Sequence, residues 1–345
     1  MPGAERVLTQ RELNRAVLAR QLLLERRRLS LPKALERVGG IQAQYAPSMY
    51  VGLWSRLERF ERDTLTRALE RRTVVQATLM RVTIHLVSPR DYWPFAVAVR
   101  EARRALWLRA WREPDAEAMA DAARTLRAAL DGGALPRKEV EALIGKPATR
   151  GIHLWLDLVR VPPSGTWERR RADLFGLAAD SVPEQEPEPG AAIDHLVRRY
   201  LEAFGPASRK DVQSFTGLGL TALKPSLERV ATERHLDEDG GELLDVPGAP
   251  LPDADTPAPA RLLPTWDATL LVHARRTGLL PERFRPLVFH TKKPQSTPTF
   301  LVGGEVAGTW TLDGGRFAAE PFERVPAAAL REVRAEGERL AAAFG

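Results

Sequence analysis

The sequence predicts an α+β protein of three tandem winged-helix units, followed by a small C-terminal β domain that ends in a helix. Three observations predict it. Residues 1–112 read as helix, helix, helix and then paired strands, the order of a winged helix. That order recurs over 113–181 and 190–248, as a shared pattern more than as shared residues. After the Pro-rich stretch Pro247–Pro259, residues 260–345 turn to strand-like runs of a curved sheet or partial barrel.

In the first unit, Thr9-Gln10-Arg11-Glu12 is a capping box opening a helix to about Arg26. Ser30 caps a second helix, with Leu31, Ala34, Leu35 and Val38 at i, i+3, i+4 and i+7, and Gly39-Gly40 stops it. Pro47 starts a third, and a short helix follows near Thr64–Arg71. Val74–Met80 and Thr83–Val87 are β-branched runs split by Arg81-Val82, a hairpin. The second unit reads as a helix to Leu130, helices at Arg137–Leu143 and Thr149–Val159, and a hairpin near Val161–Arg171. An acidic, Pro-rich linker, Pro183–Pro189, precedes the third unit. There, helices span Ile193–Phe204, Ser208–Phe215 and Leu220–Val230, with strands near His235 and Leu243. Strands are expected at Leu262–Ala274, Leu287–His290 and Phe300–Leu312, the last broken at Gly303-Gly304, and a helix over Pro326–Phe344.

At 345 residues the chain is long enough for two to four domains, and 44% apolar with 28% charged residues is the balance of a soluble globular protein. No run approaches 18 uninterrupted apolar residues, and no charged-then-apolar signal opens the chain, so a cytoplasmic protein without membrane contact is expected. The absence of cysteine excludes disulfides, a thiol nucleophile and thiolate-held metal. The six histidines show no metal spacing and no phosphate-cradling glycine loop is present, so neither metal nor cofactor is expected. A net charge of +6 carried by 44 Arg and 7 Lys points to a polyanionic partner. Winged helices mostly bind nucleic acid, so the three units are expected to surround a DNA channel, working as a monomer.

Gln42 and Gln44 lie between the glycine stop and Pro47. Glycine and proline favour extended backbone there, in which i and i+2 share a face, so both amides are expected to aim at one site. The N-terminus of the following helix offers free N–H groups for a phosphate beside them.

On Gly40-Ile41-Gln42-Ala43-Gln44, Arg81–Val87, Leu262–Asp267 and Gly304–Trp310, the chain resembles the AlkZ-like and YcaQ-like bacterial DNA glycosylases over nearly its whole length. The Gln-aliphatic-Gln form, with a small Ala43 in the middle, is that of the AlkZ-like branch. The resemblance implies excision of bulky N7-alkylguanine adducts from double-stranded DNA, with interstrand crosslinks a further substrate, in repair or in self-resistance to a DNA-alkylating natural product. It makes Gln42 and Gln44 the catalytic pair.

A glutamine amide cannot supply general acid–base catalysis, roughly 10²–10⁴ in rate. It can hold a water and the sugar in place, and a preorganised polar contact to developing charge contributes about 2.7–4 kcal/mol. Such a catalyst suffices only where N7 alkylation has already made the base a cationic leaving group. With no lysine near the pair, a Schiff-base route is not expected, and the glycosylase reads as monofunctional. Arg81 at the first wing is a candidate phosphate contact. His290, Thr291, Lys292 and Lys293, in a basic hairpin tip, are candidates for holding distorted DNA. His85 and Asp267 read as structural. A non-catalytic winged-helix regulator and an alkylation-damage sensor remain the competing readings.

Overall fold

The computed structural model describes residues 6–111, 113–183, 185–271, 278–289 and 296–345. Strand β1 (Arg6–Leu8) leads into helix α1 (Gln10–Arg20), which begins as its capping box demands, Thr9 and Glu12 each bonding the other's backbone. The helix ends at Arg20 rather than near Arg26, because Leu22 turns left-handed (φ 58°) and the Leu23 N–H bonds back to Leu18 O. That turn takes Leu22 and Leu23 into the core. Helix α2 (Leu31–Val38) stops at Gly39, in the left-handed region at φ 74°, and Gly40 repeats it at 80°. A Cβ on Gly40 would stand 3.1 Å from Val87 Cγ1 and 3.3 Å from Leu86 O. Gly40→Ala is therefore expected to cost about 1–2 kcal/mol in backbone strain, seen as a lower Tm.

Strand β2 (Ile41–Gln42) and helices α3 (Ala46–Arg56) and α4 (Arg62–Glu70) precede a hairpin of β3 (Val75–Thr78) and β4 (Ile84–Val87). The hairpin tip is a 3₁₀ turn, Met80–Val82, with Arg81 and Val82 both at positive φ. Helix α5 (Pro89–Ala110) has no counterpart in the sequence reading. Its signals were Ser88 as N-cap, Pro89 at the first position and Asp91 in the first turn.

The second unit holds α6 (Ala116–Leu130), β5 (Leu135–Pro136), α7 (Arg137–Ile144), α8 (Lys146–Gly151), β6 (Leu158–Arg160) and β7 (Leu174–Leu177). Two expectations fail here. The helix expected over Thr149–Val159 ends early, and Val159 instead pairs with Ala77 of β3, which offers it hydrogen bonds that a helix would forgo. The hairpin expected at Val161–Arg171 is a loop, tied by Ser164 Oγ to Arg171 O, Asp173 N and Leu174 N; the paired strands flank it.

The third unit follows its prediction closely: α9 (Pro189–Phe204), α10 (Arg209–Thr216) behind a Ser208/Asp211 capping box, α11 (Leu220–Val230), β8 (Glu233–Asp237) and β9 (Glu242–Asp245). The C-terminal part contains β10 (Arg261–Leu263), α12 (Ala268–Leu271), α13 (Arg285–Val288), β11 (Thr299–Val302), β12 (Glu305–Asp313), β13 (Arg316–Pro321) and α14 (Ala327–Phe344). The strand expected over Leu262–Ala274 stops at Leu263. Past it, Asp267 accepts from the Thr269 N–H and hydroxyl and turns the chain into α12. At Leu287–His290 the described residues form the end of a helix, with Phe289 in a single bridge to Ser296.

Three sheets organise these elements. Strand order β2-β4-β3-β6-β7-β5 runs the first two units into one sheet through the antiparallel β3–β6 pair. Strand β1 lies parallel to β8, so the N-terminus completes the sheet of the third unit. The C-terminal sheet, β10-β11-β12-β13, is open and antiparallel, with a bulge at Phe300/Leu301. Helix α9 packs against α5, α1, α2 and α10, and its Tyr200 and Phe204 rings meet Phe215 of α10 at 4.9 and 5.6 Å. Two buried bidentate ion pairs tie distant segments: Arg20 to Asp245 (2.7 and 2.7 Å) and Arg56 to Asp267 (2.9 and 2.8 Å). No helix among the described residues is long and apolar enough to cross a membrane.

Candidate functional site

The two glutamines lie at one end of the six-stranded sheet. Strand β2 is its edge strand, and Gln42 sits opposite His85 of β4. The extended path continues one residue further, as the Ala43 N–H bonds Ile84 O at 2.7 Å. Gln44 then meets the same strand, its Oε1 accepting from the Ile84 N–H at 3.1 Å. The residues i and i+2 thus engage neighbouring positions of β4, but at different depths: Gln42 is 7% exposed, whereas Gln44 is exposed.

The first turn of α3, Ala46 to Ser48, is buried, which removes the open phosphate seat that the sequence suggests there. In its place the surface beside Gln44 is basic. Tyr45 Oη accepts from Arg170 Nη1 at 3.2 Å. The flanking Arg169 and Arg171 side chains, 50% and 77% exposed, share Asp173 as counter-charge at 3.5 and 3.2 Å, so the three arginines outnumber it. Sequence reasoning passed over this loop. The run Arg169-Arg170-Arg171 was its signal, and only the β3–β6 pairing brings it alongside the glutamines.

Arg81 turns inward from the hairpin tip. Its Nη1 donates to Phe215 O at 2.5 Å, one of the last carbonyls of α10, where the helix dipole favours a cation. Its Nη2 reaches Gln42 Oε1 at 3.4 Å and His85 Nε2 at 3.5 Å, and the guanidinium stands 5.3 Å from the Phe215 ring centre. Burial pulls the Arg81 pKa down to about 10, so it stays charged at pH 7. His85 is buried. Loss of solvent, then the Arg81 charge, outweighs its bond to Thr83 O and takes its pKa to about 3. At neutral pH it is an uncharged imidazole and supplies no proton.

A consequence for stability follows by linkage. The unfolded chain binds a proton at His85 near pH 6.5 and the folded chain does not until about 3. Folding stability is therefore expected to fall as pH drops below 6.5, by at most about 1.4 kcal/mol per unit from this group. Denaturant titrations of wild type and His85→Phe across pH 4–7 check it: the variant's slope should be shallower.

His290, Thr291, Lys292 and Lys293 lie outside the described residues. Asp267 is buried and held by Arg56 and Thr269, which removes it as a reacting carboxylate. Glu233, His235 and Asp245 bring potential metal-ligand atoms within 4.8 Å of one another. Both Asp245 oxygens are nonetheless engaged by Arg20, whose charge opposes a cation there. A cavity of about 610 Å³ lies apart from the glutamines, between α1, α10 and the β8–β9 turn. Asp211, Asp237, Glu238 and Asp239 line it, a poor seat for a polyanion.

Three comparisons bear on identity. The family model described as DNA glycosylase AlkZ-like matches residues 35–343. The solved structure of Streptomyces sahachiroi DNA glycosylase AlkZ matches with a TM-score of 0.82 at 20% sequence identity, covering 97% of each chain. No curated protein matches the sequence.

Proposed function

The chain belongs to the AlkZ-like DNA glycosylase family, and from that premise we propose that it hydrolyses the N-glycosidic bond of cationic N7-alkylguanine in duplex DNA. Family membership sets aside the non-catalytic regulator that the sequence alone left open. The observation that best supports the reading is the pair of glutamines set against one strand edge, each with its amide oxygen turned to a protein donor. Neutral amides, neither of which bonds a carboxylate or a lysine among the described residues, suit a reaction whose leaving group is already activated. Water attacks C1′, the bond to N9 breaks, and its electron pair neutralises the alkylated base. The proton lost by the water goes to solvent.

Bulky adducts are the proposed preference, with crosslinks as a further substrate and self-resistance as the setting. The exposure of Gln44 and the basic loop beside it support an open site rather than a closed pocket for a flipped base. In this reading the helix–helix–helix–hairpin units act as winged helices along the duplex. Gln42 and Gln44 are the catalytic residues, and His290, Thr291, Lys292 and Lys293 grip DNA.

The test is base release from a duplex carrying one N7-methylguanine or one bulky N7 adduct, read as strand breaks after alkali. Release of both, with no break before alkali, is the expected result. Release of neither, despite binding, would overturn it; breaks without alkali would overturn the monofunctional assignment.

A further inference from the structure

The Gln42 amide is not free to present either end to DNA. Arginine carries donors and no acceptor, so the Gln42 atom facing Arg81 Nη2 at 3.4 Å is the oxygen. The NH₂ group then points away from Arg81, and it has no partner among the described residues. Arg81 is itself held from two further sides. Phe215 O takes Nη1. On the other side, His85 Nδ1 lies 3.0 Å from Thr83 O, a pure acceptor, so Nδ1 carries the ring proton and Nε2 turns a lone pair toward the guanidinium. The left-handed backbone at Arg81 (φ 53°), uncommon for a non-glycine residue, accompanies this inward turn.

We propose that Arg81 is a positioning residue that locks the Gln42 amide as a hydrogen-bond donor toward the departing base, with His85 and the C-terminal end of α10 holding Arg81 in place. The direction of donation follows from the charges. A donor aimed at the sugar ring oxygen would oppose the oxocarbenium-like transition state. A donor aimed at the base meets an atom that gains electron density as the bond breaks, where preorganised contacts act most strongly. The inference rests on the reading of Gln42 as catalytic, and it turns Arg81 toward the amide rather than toward a phosphate.

The experiment compares Arg81→Met, His85→Phe and Gln42→Glu with wild type by single-turnover base release, DNA affinity against salt, and Tm. Arg81→Met is expected to lower the rate roughly tenfold, the scale of one charge-assisted hydrogen bond, with affinity and salt slope unchanged. His85→Phe, which leaves the Phe215 contact in place, should lower the rate by a smaller factor in the same way, and serves if Arg81→Met fails to fold. Gln42→Glu keeps the shape and the Arg81 contact but has no NH₂, and should lose at least 100-fold. Wild-type rates in all three, or a salt slope reduced by about one in Arg81→Met, would overturn the inference, the latter by making Arg81 a phosphate contact. A Gln42→Glu variant that retains activity would equally overturn it. If wild type itself releases no base, the failure belongs to the glycosylase reading rather than to this one.

Discussion

Gln42→Ala is expected to remove base release while leaving duplex affinity within about threefold. The side chain is 7% exposed and lies behind the strand edge, so it contributes little area to a DNA surface. Among the described residues its side chain makes one protein bond, the 3.4 Å contact to Arg81, and Phe215 O still holds Arg81 without it, so the fold should persist. What the substitution deletes is a preorganised contact to developing charge, about 2.7–4 kcal/mol, which is 10²–10³ in rate. Gln44→Ala should fall in the same direction with an added structural cost, since it strips an acceptor from the Ile84 N–H. Single-turnover rates on N7-methylguanine duplex, set beside binding isotherms and Tm, check both. A Gln42→Ala enzyme with wild-type turnover would place the chemistry elsewhere.

The second large effect is on stability. Arg56→Met is expected to destabilise the protein by about 3–5 kcal/mol, because it leaves Asp267 buried and without its counter-charge. Arg56 is 2% exposed, donates twice to Asp267, and also holds Gly52 O at 3.0 Å and Gln21 Oε1 at 3.3 Å. It therefore fastens α3, which follows the glutamines, to the turn after β10. For a chain of 345 residues Tm should fall by roughly 4–7 °C. Burial alone would raise the Asp267 pKa, but the Arg56 charge and the bonds from Arg56 and Thr269 outweigh it and hold the carboxyl below its ordinary range. The sign is that of a depressed carboxylate. Its contribution is complete above about pH 4 and is lost only as pH falls through the lower folded value. Asp267→Asn keeps the shape and should lose less; its rate per folded molecule should match wild type, since this carboxylate does not reach the site.

Much of the local structure was legible. Thr9 and Ser208 cap their helices because a hydroxyl three residues ahead of a carboxylate satisfies two otherwise free N–H groups. Gly39 ends α2 because few other residues adopt its backbone angle, and Leu220–Val230 forms the helix that its spacing predicts. The glutamine pair was legible for a related reason, since glycine and proline leave extended backbone as the favoured path between them. The misreadings cluster where a neighbour overrules local preference. Val159 is a strand residue because β3 stands beside it, and Leu287 sits in a helix although Val288 and Phe289 after it favour strand.

The sequence by itself determined the periodicities, the caps, the two amides and the positive charge, all properties that act within a few residues of their origin. Tertiary structure decided that β3 joins β6, that β1 completes a sheet more than 200 residues away, and that the Arg81 guanidinium turns in to Gln42, His85 and Phe215. The physical reason is that burial and hydrogen-bond partnership belong to pairs distant in the chain. An arginine at a hairpin tip has the same local chemistry wherever it points, and only the packing of α10 against that tip brings it to Phe215 O, Gln42 and His85.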